Sequence, residues 1–97
     1  MRAHPLIHAL QIMLPEAGLA ITASRDWCSM TFSGQRLAIE CVLTGSYYDK
    51  YYRYLCDILP EHEFSLSGCL VADIAVVAQE NSGDGTKVMI EALVING

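Results

Sequence analysis

Leu10-Gln11-Ile12-Met13-Leu14-Pro15-Glu16 returns as Leu55-Cys56-Asp57-Ile58-Leu59-Pro60-Glu61. The two leucines, the proline and the glutamate recur at one offset of 45 positions. Farther on, Arg36-Leu37-Ala38-Ile39-Glu40 is echoed by Lys87-Val88-Met89-Ile90-Glu91, where the offset has grown to 51. The chain therefore reads as one unit written twice, with halves at about 1–45 and 46–97.

Each copy of the stretch closes an amphipathic helix. Ile7, Leu10 and Leu14 follow helical spacing, with Leu6 and Met13 widening the apolar stripe, so a helix is expected from Ala3 or His4 to Leu14. Pro5 suits the first turn, and Pro15 disfavours helical geometry at the residue before it. Ser46 is placed to cap a second helix over Tyr47 to Leu59, with Tyr48, Tyr52, Leu55 and Leu59 inward. Pro60 ends it as Pro15 ends the first.

The remaining segments read as strands. Leu19–Ala23 is a short one, broken at Ser24-Arg25-Asp26, and Trp27–Phe32 alternates apolar and polar. Ser33-Gly34-Gln35 reads as a turn into Arg36–Thr44. In the second half, Phe64–Ser67 and Leu70–Gln79 precede a turn at Asn81–Gly85 and a final strand over Val88–Ile95. The extra residues of the second half are expected in that hairpin. The fold class is thus α+β: a duplicated α-β-β-β unit with pseudo-two-fold symmetry, forming a mostly antiparallel sheet with two helices packed on one face.

The composition bounds the function. A chain of 97 residues buries roughly 65% of its unfolded surface, enough for a single core without staples. Eleven acidic against six basic residues give a net charge of −5, which disfavours nucleic acid and anionic membranes as ligands. No apolar run is long enough for a spanning helix or a secretory segment, so the expected location is cytoplasmic. Cys28, Cys41, Cys56 and Cys69 contain no close pair of the zinc-binding kind and sit in apolar surroundings, which suggests reduced, buried packing thiols. No nucleophile elbow, phosphate loop or dinucleotide fingerprint occurs. No cofactor or metal is expected. His4 and His8 share a helix face but lack a third ligand, and His62 reads as a loop residue.

Strand alternation points to a surface. With Leu37, Ile39, Cys41 and Leu43 under the helices, and Val88, Ile90, Ala92 and Val94 likewise, the opposite face carries Val42, Val71, Ala75, Val77, Met89, Leu93 and Ile95. So much apolar area calls for a cover. The expectation is a small, acidic, non-enzymatic protein-binding chain of adaptor or inhibitor type, a homodimer through the helix-free face. Tyr47, Tyr51 and Tyr54 offer a second contact on the outer side of the second helix. The alternative is a small-molecule or metal site, enzymatic or not, built on Glu40, Asp73 and Glu91 of the same sheet face, against which Arg36 and Lys87 stand as ordinary charge partners.

Overall fold

A computed structural model of the chain describes residues 4–44, 47–82 and 85–96; the side chains of 47–50 and 82 lie outside that description, as does the expected Ser46 cap. Helix α1 spans Pro5–Met13, strand β1 Gly18–Cys28, β2 Ser33–Thr44, helix α2 Tyr47–Ile58, β3 Cys69–Ser82 and β4 Gly85–Asn96. A single 3-10 turn, Leu59–Glu61, follows α2. The four strands form one sheet in the order β1-β2-β4-β3, and every neighbouring pair is antiparallel.

Local chemistry sets the helix ends. His4 caps α1, its Nδ1 accepting from the Leu6 N–H at 3.0 Å, and Pro5 takes the first helical position. At the other end the Gln11 amide donates from Nε2 to the carbonyls of Leu14 at 3.0 Å and Ala17 at 2.9 Å. Those carbonyls flank Pro15 just beyond the helix, and the Leu14 carbonyl also accepts from the Ala17 N–H at 3.1 Å. The corresponding residue of the second stretch, Cys56, is exposed, and that helix runs instead into the tighter turn.

Leu6 and Leu10 of α1 and Leu14 at its C-cap, with Leu55 of α2 and Leu59 of the 3-10 turn, cover Leu37, Ile39, Cys41 and Leu43 of β2 and Val88, Ile90, Ala92 and Val94 of β4. All are buried, as alternation predicts. Each fully buried leucine or isoleucine side chain contributes about 1.5–3 kcal/mol. Ile39 lies directly opposite Ile90 in the middle of the sheet.

The strands themselves depart from expectation. Among the described residues two strands precede α2 and two follow it, against the three expected on each side. Ser24-Arg25-Asp26 does not break the chain, since β1 continues through it after a bulge between Ile21 and Ala23. An edge strand tolerates such polar residues because one side faces water. The hairpin instead turns at Ser29–Phe32, where the Phe32 N–H reaches Ser29 Oγ at 3.0 Å and the Ser29 N–H reaches the Phe32 carbonyl at 2.7 Å. Met30, expected in a strand, is fully exposed on this tip. Ser33-Gly34-Gln35 belongs to β2, and Phe64–Ser67 yields only a bridge from Leu66 to Cys69.

The second half's added length also lies elsewhere. Residues 62–68 precede β3, whereas the β3–β4 connection is shorter than that of β1 and β2. Strand β3 carries two bulges, between Val71 and Asp73 and between Val76 and Ala78. The bulge in β1 lies just past the partner of Ile39, and the second bulge in β3 just past the partner of Ile90.

Candidate interaction surface

Residues paired across an antiparallel ladder project to the same side, so the register gives the helix-free face as rows. From β1 to β3, one row reads Arg25–Arg36–Leu93–Asp73. The next are Ala23–Ala38–Glu91–Ala75, Ala20–Glu40–Met89–Ala78 and Gly18–Val42–Lys87–Glu80. Trp27–Gly34–Ile95–Leu70 closes the face beyond the arginines. No described element covers these rows. Val42, Ala75, Met89, Leu93 and Ile95 are nonetheless half-buried, because neighbours on the pleated surface shade one another.

Two residues expected on this face are elsewhere. Val71 pairs with the buried Val94 and packs against the core, and Val77 is the unpaired residue of a bulge, about half exposed at 53%. A bulge breaks the period of two, so the single alternation assumed along Leu70–Gln79 fails twice. The same effect hid Arg25 and Trp27, which the β1 bulge carries onto the face. No composition signal in the sequence marks these bulges.

The three carboxylates fall on a diagonal, each in a different row. Glu40 Oε1 accepts from Lys87 Nζ at 2.9 Å, and both side chains remain partly open to solvent. This contact, first by its hydrogen bond and then by its charge, holds the Lys87 ammonium above the usual lysine range, with Glu80 adding to it. Glu91 borders an open depression shared with Arg25 and Arg36. Among the described residues, no group of three or more His, Cys, Asp or Glu side chains stands together to hold a metal ion. Arg25 and Arg36, directly paired across the ladder, have no carboxylate within ion-pair distance among those residues, nor has Asp73 a cation.

The helical contact surface is narrower than expected. Tyr51 joins Tyr52 in packing against the core, Tyr54 stays exposed at 38%, and the side chain of Tyr47 lies outside the described residues. The residues following Tyr51 at one-turn spacing are Leu55 and Leu59, which draws the buried stripe toward it. Of the cysteines, Cys41 is buried and its thiol is pushed up to about 11 by burial, but Cys28 and Cys56 are exposed, contrary to the packing role expected of all four. An edge strand and the outer face of a helix leave those two in solvent.

Among the described residues no helix is long and apolar enough to cross a membrane. Comparison with known protein families, with characterised proteins and with solved structures finds no match to this chain.

Proposed function

We propose that this chain is a non-enzymatic protein-binding protein that works as a homodimer joined through the helix-free sheet face. The observation that carries this reading is a four-stranded face on which Val42, Met89, Leu93 and Ile95 stand with no described element packed over them. At 12 residues for β2 and for β4, the standard rise and strand spacing give a face of about 40 by 19 Å, or about 760 Å². Two copies would bury about 1,500 Å² in total, within the range of specific interfaces. Two-fold association is the commonest way to close such a surface. The carboxylate alternative is not favoured, because Glu40 is held by Lys87 and the diagonal placement does not converge on one point.

The same reading includes an internal duplication, now of an α-β-β unit. In its favour are the repeated Leu-Pro-Glu, the element order and the matching bulges beside Ile39 and Ile90. An internal two-fold through the Ile39–Ile90 pair relates Arg36 to Lys87 and Glu40 to Glu91 at the offset of 51.

Sedimentation equilibrium of the wild type and of the Val42→Asp, Leu93→Asp double variant tests the dimer. The expected result is a dimer at micromolar concentration and a folded monomer for the variant, with unchanged far-UV circular dichroism. A wild type that stays monomeric at high micromolar concentration overturns the proposal.

A further inference from the structure

The row Arg25–Arg36–Leu93–Asp73 crosses the whole face with its cations at the β1 side and its anion at the β3 side. Like charges directly opposite each other are destabilising, yet Arg25 and Arg36 are such a pair and no carboxylate within the described chain neutralises them. Arg25 and Asp73 are three strand spacings apart, about 14 Å, too far to meet within one chain. What both lack is a partner of opposite charge above the sheet.

Resting on the homodimer reading, we infer that the two copies meet about a two-fold axis parallel to the strands, so that Arg25 of one protomer pairs with the partner's Asp73. An axis running between β2 and β4 leaves each row at its own height and reverses its direction. The row of cations and anion then lies on its own reverse, and Arg25 stands over the partner's Asp73 at both ends. The other corner is equally quiet, since Glu80 falls over the partner's Gly18, which has no side chain to oppose it. Of the central carboxylates, Glu40 is already neutralised by Lys87, and Glu91 borders Arg36. Aligned sheet packing keeps the strand directions within about 30° of each other, a displacement that a long arginine side chain spans.

Charges decide against the other in-plane axis. A two-fold perpendicular to the strands at the level of the Ile39–Ile90 pair, the midpoint of β2 and β4, exchanges the Arg25–Arg36–Leu93–Asp73 row with the Gly18–Val42–Lys87–Glu80 row, setting Asp73 over the partner's Glu80 and Arg25 over the partner's Gly18. That arrangement repels at two corners and leaves the arginine pair without a counter-charge. Electrostatic complementarity of this kind fixes register and orientation more than it adds affinity.

The test uses two charge reversals and their mixture. Arg25→Glu alone places two carboxylates together at each end of the dimer, and Asp73→Arg alone places two arginines together. Each variant is expected to raise the dimer dissociation constant by about tenfold or more. Mixed, they form a heterodimer in which both ends are attractive, because Glu at 25 of one chain meets Arg at 73 of the other and the second end keeps the native pair. Native mass spectrometry with one protomer mass-tagged reads this directly. The expected result is a heterodimer within about threefold of wild-type affinity while both single variants are monomeric.

Both side chains are exposed in the single chain, so the folds should survive, and circular dichroism checks this. The neutral variants Arg25→Gln and Asp73→Asn weaken the dimer by less and gain nothing on mixing. A wild type that never dimerises removes the homodimer reading itself. A wild type that dimerises while the charge-reversed mixture shows no preference for the heterodimer overturns the axis alone. Tightening by Asp73→Arg would place the axis perpendicular to the strands instead.

Discussion

Glu40 of β2 and Lys87 of β4 are joined diagonally across the two central strands, Oε1 to Nζ at 2.9 Å, on the helix-free face of the sheet. The contact raises the lysine's proton affinity. Glu40→Gln should therefore return the Lys87 titration toward the ordinary 10.5, as read by NMR of the lysine ammonium. A raised folded-state value contributes stability that is complete below 10.5 and is lost as pH rises on through the higher folded-state value. The difference in urea midpoint between wild type and Glu40→Gln should accordingly hold at neutral pH and close in strong alkali. A difference that widens there contradicts the pairing.

His4 gives a pH dependence of opposite sign. Burial lowers its proton affinity below the ordinary 6.5, and Nδ1 must be unprotonated to accept from Leu6. A depressed folded-state value contributes stability present above 6.5 and lost as pH falls through the folded value. His4→Asn keeps a side-chain acceptor at the cap without a titrating group. Wild type should lose thermal midpoint relative to His4→Asn on acidification below 6.5 and match its trend above. Parallel profiles throughout would remove the imidazole from the cap.

Ile39 and Ile90 are fully buried and directly opposed under the helices. Each change to alanine should cost about 2–5 kcal/mol in urea unfolding. Because the two deletions open one shared space, the double variant should cost less than the sum by about 0.5 kcal/mol or more. Strict additivity would mean that the two side chains do not pack as a unit.

Two glycines are required for different reasons. A Cβ at Gly34 would stand 1.9 Å from the Val94 carbonyl oxygen, so β2 and β4 cannot keep their register with alanine there. Gly68 has open space but a φ of +79°, where a side chain is strained. Gly34→Ala should cost about 1–3 kcal/mol by crowding, and Gly68→Ala about 1–2 kcal/mol by backbone strain. Asparagine, which tolerates the left-handed region, should recover part of the loss at 68 and none at 34. Equal recovery at both positions contradicts this assignment of causes.

Gln11 holds two carbonyls beyond the end of α1. Gln11→Ala should cost about 1–3 kcal/mol, since both acceptors lose the amide and the Leu14 carbonyl keeps only the Ala17 N–H. Cys56→Ala, at the matching place of the second stretch, should be close to neutral in the same denaturation measurement because Cys56 is exposed. A larger loss at Cys56 would show that the two helix ends are built alike after all.

The sequence by itself determined where both helices stop, which residues of Arg36–Thr44 and Val88–Ile95 face inward, and that Val42, Met89, Leu93 and Ile95 point to the opposite side. Those properties are local: a proline ends its own helix, and a regular strand alternates with a fixed period. Tertiary structure alone decided the strand order, the merging of two expected strands into β1, and the identity of the residues on the edges of the face. Each of those depends on how a segment pairs with a distant one. A single bulge, invisible in composition, shifts every following side chain to the other side, which is how Val71 joined the core while Arg25 arrived in one row with Asp73.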